Sequence, residues 1–219
     1  LHPNPGENEY MNAPYRKPAL FAGHEFSAFQ GGDDPAEVSA IAHDTARALL
    51  SRVRDEAHPD IVEKVVSFAD DNGIDTLAEL WSRSSAHSLP GALWRMYLIR
   101  DLIRAQAAQM SVLFGQGLSV LSTVDVVVAG APTPAGPEEM VSLADTILHG
   151  AFTGDFSGAL DRSAAFCRII SAGCTAVANE SDAAHPDRAT TLTVQASRLT
   201  QTAHELSVCA RLWRDGALD

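Results

Sequence analysis

Between Pro186 and Asp215 a large apolar residue recurs every seven positions, at Leu192, Leu199, Leu206 and Trp213, with Ala196, Ala203 and Ala210 four places after the first three. Only an α-helix brings those positions to one edge, and the alternation of large and small groups suits close approach of a second helix. The seam therefore demands a helical partner. The spacing leaves open whether that partner lies within the same chain or in a second copy.

The same period runs through the rest of the sequence. Asp34-Pro35-Ala36-Glu37 combines a capping residue, a first-turn proline and a third-position Glu, and Val38, Ala42, Thr45, Leu49 and Val53 follow on one stripe, so a helix is predicted to about Ala57. A second begins at Pro59, buries Ile61, Val62, Val65, Phe68 and Ala69, and ends at Asn72-Gly73. Asp75 is then expected to cap a short helix through Leu77, Leu80 and Trp81. The longest pattern is predicted as one helix from Pro90 to Phe114, stopped at "GQG". The valine-rich "LSVLSTVDVVVAGA" suits a strand by propensity, yet Val120, Val124, Val127, Val128 and Ala131 keep helical spacing and predict a helix. Pro137-Glu138-Glu139 starts another, with Met140, Ala144, Ile147 and Ala151 inward, and Asp155 caps one that buries Phe156, Leu160, Cys167, Ile170, Cys174 and Val177.

No strand pattern or internal repeat survives this pass. The expected fold is all-α, an irregular bundle of about seven or eight helices. Residues 1–34 form an irregular arm rich in Pro and Gly, and 35–219 a single helical domain in which 35–82 is separable as a subdomain from the main bundle, 89–219. The arm carries Tyr10, Tyr15, Leu20, Phe21, Phe26 and Phe29, too many large apolar groups for a plain linker, and is expected to dock on its own bundle or on a neighbouring subunit.

A formal net charge of −12 repels phosphate backbones and disfavours nucleic acid as a partner. Three scattered cysteines fit neither a disulfide framework nor a metal knuckle, which points to a reducing cytoplasm. No stretch approaches the length of an apolar membrane span, so no membrane partner is expected.

Several short motifs invite functional readings. His-Pro-Asp, the triplet by which J-domain cochaperones stimulate their ATPase partners, occurs at His58-Pro59-Asp60 and at His185-Pro186-Asp187. The match is three residues long and lacks the basic helix that precedes the triplet in that family. Proline in the first turn with Asp beside it is a sufficient explanation as a helix start. Asp55-Glu56-Ala57-His58 spells a helicase box without the phosphate-cradling loop it needs. No Glu-x-x-His pair of the di-iron bundles is present. Asp145 and His149 lie one turn apart, but opposite their helix's apolar stripe, where a solvated pair is expected rather than a metal site. Nor does any spacing support a three-histidine set from His24, His43 and His149 or His204. Cys167 and Cys174 share a core face and read as small hydrophobes. No catalytic residue, metal ligand or cofactor is assigned.

What remains is "LPGALWRMYLIRDLIRAQAAQM". Leu98, Ile99, Leu102, Ala105 and Leu113 are expected to make its apolar face, with Arg100, Asp101 and Arg104 turned away. Arg95, Gln106 and Gln109 then fall in the apolar sector. A guanidinium keeps its charge, so a buried Arg95 needs a carboxylate, for which Glu79 and Asp161 are candidates, or else an anionic ligand. In the second case Arg95, Gln106, Gln109, Trp94 and Tyr97 would line the pocket.

The stretches "LPGALWRMYLIRDLIR", "GPEEMVSLADTILHG" and "GDFSGALDRSAAFCRII" resemble segments of uncharacterised all-helical proteins of actinobacteria, over the central and C-terminal two thirds of the chain. That resemblance implies no activity, cofactor or site residue. The expectation is a non-catalytic cytoplasmic helical protein acting through protein contacts, as a homodimer or with another protein. The alternative is an enzyme or small-molecule-binding bundle with an anion pocket at Arg95.

Overall fold

The computed structural model describes residues 35–51, 74–121, 125–130, 136–152 and 155–219. Among these residues there is no strand. The helices, in order, are α1 (Pro35–Ser51), α2 (Ile74–Trp81), α3 (Leu89–Ala105), α4 (Ala107–Val120), α5 (Asp125–Ala129), α6 (Pro137–Ala151), α7 (Phe156–Ser181) and α8 (Pro186–Arg214). The all-α bundle expected from periodicity is the fold. The aromatic arm, the helix predicted after Pro59 and the first His-Pro-Asp triplet lie outside the described residues.

The heptad seam is filled by the same chain. Residues 182–185 turn α7 back onto α8, and Ala189, Leu192, Ala196, Leu199, Ala203, Leu206 and Ala210 are buried. Trp213 meets Phe156 edge to face at 4.8 Å. Two polar ties fix the register of this antiparallel pair: Ser171 Oγ donates to the Ala196 carbonyl at 2.9 Å, and Arg168 donates to Ser207 Oγ at 3.1 Å. Helix α7 is the centre of the molecule. Leu160, Ala165, Phe166, Ile169, Ile170 and Cys174 are buried around its circumference, as required of a helix covered by α4, α5, α6 and α8 together.

The starts follow the sequence. Asp155 accepts from the Gly158 amide at 2.9 Å, Pro137 follows Gly136 at the start of α6, and the second His-Pro-Asp places Pro186 and Asp187 in the first turn of α8. Ser88 caps α3 by accepting from the Gly91 amide at 3.2 Å. The Leu89 amide, otherwise unpaired at that helix start, donates to the main-chain oxygen of Asp219 at 2.6 Å. Asp75, expected as a cap, instead sits inside the first turn of α2. Helices α1 and α2 pack on α3 and on each other, and the buried Trp81 indole donates to Thr45 Oγ1 at 3.1 Å.

Other sequence expectations are corrected. The single helix from Pro90 to Phe114 is two, meeting at Gln106 (φ −133°, ψ 37°), because α3 follows α1, α2 and α6 whereas α4 follows α7. Helix α4 does not stop at "GQG" but runs through it to Val120, and of the helix expected over 120–131 the described residues include Asp125–Ala129 as helix, while 122–124 and 131 lie outside the described residues. The glycines serve packing: a methyl on Gly117 would lie 2.0 Å from the Ile169 carbonyl oxygen, and one on Gly173 would lie 1.9 Å from that of Leu113. Finally, the core face of α3 is Leu89, Leu93, Met96, Ile99 and Ile103, while Ala105 is exposed and Leu98 is 43% exposed. Apolar residues cover more than half of that helix's circumference, so the wheel alone does not choose the core side.

Candidate functional site

The side of α3 left over by the core forms one wall of a groove. Arg95, Leu98, Ile99 and Leu102 recur at helical spacing along it, and Gln106 and Gln109 extend it past the bend into α4. From Arg95 to Gln109 the wall is about 21 Å long at the ordinary helical rise. The facing wall is the N-terminal half of α8, where Thr191, Val194, Gln195, Arg198 and Thr202 flank the buried seam. The open groove between them has a volume of about 710 Å³.

One end is closed by an ion pair. Arg95 Nε donates to Glu205 Oε2 at 2.5 Å and its NH1 to the Gly91 carbonyl at 3.0 Å, while Gln201 donates to the other Glu205 oxygen at 2.9 Å. Burial by itself raises the Glu205 carboxyl, but the Gln201 and Arg95 hydrogen bonds and the Arg95 charge outweigh it and hold it below its ordinary value. The partner is therefore Glu205, not Glu79 or Asp161. Glu79 is exposed on α2, and Asp161 is taken by Arg214. With its charge met by Glu205, Arg95 closes one end of the groove.

The walls are less polar than their composition suggests. Thr190, Thr191 and Thr202 donate their hydroxyls to the carbonyls of Pro186, Asp187 and Arg198, one turn back, so none of these protons is left for a ligand. Leu98 and Val194, on opposite walls, are 43% and 45% exposed. Arg198 is the cation of the groove that keeps its donors, since among the described residues no carboxylate reaches ion-pair distance of it.

The sequence-predicted site is thus divided. Arg95, Gln106 and Gln109 come together as groove lining, although both glutamines are exposed rather than set in an apolar interior. Trp94 and Tyr97 do not join them. They stack on each other at 5.7 Å, and Tyr97 is bonded to Asp75 of α2; burial first, and then Asp75, raise its phenol above the ordinary value. Sequence reasoning missed the entire α8 wall. The signal was present as a second stripe beside the heptad seam, Thr191, Val194, Gln195, Arg198 and Thr202, but it carries no chemistry of its own.

The other candidates carry less. Asp145 accepts from Arg100 at 2.7 Å and Arg104 at 2.8 Å. Burial raises its carboxyl, these two bonds lower it more, and the net is a lowered value. Arg100 and Arg104, expected to turn away from the apolar face of α3, are both held to α6. Burial pushes the thiols of Cys167 to about 12 and of Cys174 and Cys209 to about 11, values at which almost no thiolate is present near neutral pH. Among the described residues no three His, Cys, Asp or Glu side chains gather as a metal ion would require, and no helix is long and apolar enough to cross a membrane. The chain finds no match among protein families, curated proteins or solved structures.

Proposed function

We propose that this protein works by protein contact, and that the groove between α3–α4 and α8 receives a polypeptide segment bearing large apolar side chains and a carboxylate. The observation that carries the proposal is the pairing of Leu98 and Val194, two large apolar groups left open on facing walls. The length of about 21 Å suits an amphipathic helix of three to four turns laid between them. Arg198 supplies the charge preference. A cytoplasmic setting accords with three unpaired, buried thiols. Membership of the actinobacterial helical proteins is part of the same proposal, resting on the three stretches quoted above, and it brings no activity. The heptad seam no longer supports a homodimer, because α7 fills it.

An anionic small molecule is the second reading. The volume of about 710 Å³ lies within the range of such sites. Against it, Arg95 would have to exchange Glu205 for the ligand.

The test is fluorescence anisotropy with a labelled amphipathic peptide of about 14 residues, in one version with Glu and in another with Lys on its polar face. The Glu version is expected to bind in the micromolar range, at least about tenfold tighter than the Lys version, and Val194→Asp should remove that binding. Equal affinity for Val194→Asp, or no binding of either peptide, overturns the proposal. A small bound mass lost on denaturation in native mass spectrometry would favour the second reading.

A further inference from the structure

We infer that the groove's partner is a helix with two carboxylates three turns apart, bound by Arg188 and Arg198 of α8, a charge pattern that rests on the groove being a polypeptide site and adds how the partner is turned within it.

A second row of residues lies beside the buried seam of α8. Arg188, Thr191, Gln195, Arg198, Thr202 and Glu205 each stand one residue before a member of that seam and repeat its alternating spacing of three and four. Positions so spaced share one edge of a helix and suit a second helix laid along it. At the C-terminal end of the row α3 fills that place, and its Arg95 meets Glu205. At Gln106 α3 gives way to α4, which follows α7, so the groove stays open along the row from Arg188 to Arg198. Arg188, Thr191 and Arg198 are exposed there, and Gln195 is half-buried.

Charge decides what fits the open part. Among the described residues no carboxylate lies within ion-pair distance of Arg188 or Arg198, the adjacent Asp187 included. The two guanidinium groups stand ten residues apart, about 15 Å along the axis. Across the groove, Gln106 and Gln109 are neutral, and Arg100 and Arg104 are both held by Asp145. The open positive charge therefore lies on the α8 side alone. On a partner helix, carboxylates eleven residues apart share a face at about 16.5 Å, a match within the reach of two flexible arginine stems. Such a helix turns its acidic flank to α8 and its apolar stripe to Leu98 and Val194.

The net charge of −12 opposes an acidic partner at long range, but at about 0.15 M salt charges more than about 8 Å apart are largely screened. Pairs in contact persist, so spacing rather than total charge should set the affinity.

The experiment is fluorescence anisotropy on the full chain at about 0.15 M salt, with three labelled peptides of about 14 residues that share one apolar stripe. One carries two Glu eleven residues apart, the second two Glu four residues apart, and the third Gln in place of every Glu. An exposed ion pair contributes about threefold. The widely spaced peptide is thus expected to bind about tenfold tighter than the Gln peptide and about threefold tighter than the closely spaced one, which engages a single arginine. Arg188→Gln should abolish that threefold difference. Arg211→Gln makes the same charge change on the opposite, exposed side of α8 and should preserve it. Equal or weaker binding of the widely spaced peptide relative to either other peptide, or the same loss in both variants, overturns the two-carboxylate assignment; the groove's role then stands if Val194→Asp still removes binding. Failure of all three peptides on the wild type refutes the groove's role and the charge pattern with it.

Discussion

Gly173→Ala should destabilise the protein, against the ordinary preference of a helix for alanine. A methyl at this position lies 1.9 Å from the Leu113 carbonyl oxygen, 2.8 Å from its carbon and 3.0 Å from the Gly117 nitrogen. Carbon approaches a carbonyl oxygen to about 3.3 Å, so α4 and α7 must part by about 1.4 Å. A gap of 0.5–1 Å already forfeits about a quarter to a half of each dispersion contact. The crossing includes the stacked Phe114–Phe166 pair, 5.5 Å between centroids, so many contacts are at stake. Overpacking of this kind costs about 1–3 kcal/mol or more, and alanine's better propensity returns only about 1 kcal/mol. With a backbone clash this deep the cost falls at the top of that range, and the resulting net loss of about 2 kcal/mol lowers Tm by about 4–8 °C in a chain of this size. Gly115, on the same helix α4, has nothing within 4 Å of an added methyl, so Gly115→Ala should raise stability by about 0.5–1 kcal/mol. Thermal and urea unfolding followed by circular dichroism measure both. If Gly173→Ala is as stable as the wild type, the close crossing of α4 and α7 is wrong.

Arg95→Met leaves Glu205 half-enclosed with Gln201 as its remaining partner and should cost about 2 kcal/mol, whereas Arg95→Met with Glu205→Leu should recover most of it. Urea midpoints of the two variants test this, and a double variant no more stable than the single would mean that the pair is not the relevant unit. Acid should weaken the fold through Asp145 and Glu205. Both carboxyls are held below their ordinary values of 3.8 and 4.5, so their contribution is complete above about pH 4.5 and fades as pH falls through the lowered folded values. Asp145→Asn should therefore lose less stability than the wild type between pH 4 and pH 2, and parallel curves for the two proteins would remove Asp145 from the account.

Much of the fold was legible because its signals are local. Proline starts at Pro35, Pro137 and Pro186, the Asp155 cap and the seven-residue seam each act within a turn or two of one helix, where the 3.6-residue period converts spacing directly into a face. The errors fell where a residue has two uses. Gly115 and Gly117 read as a helix stop by propensity, but Gly117 is the point at which a neighbouring backbone comes close. Leu98 reads as core by wheel position, but α3 has apolar groups to spare and leaves it exposed, with Leu102 half-buried at the core's edge.

The sequence by itself determined that this chain is helical, where most of its helices start, and that its last helix needs a close helical neighbour. It also marked Arg95 as a charge in need of a partner. Only the tertiary structure decided that the partner is Glu205, 110 positions away, and that α7 rather than a second copy fills the seam. Only there do Leu98 and Val194 face each other across an open groove with Arg198 beside them. Periodicity is a property of one helix and is written along it, whereas a groove is the space between two and depends on angles and separations that no single helix encodes.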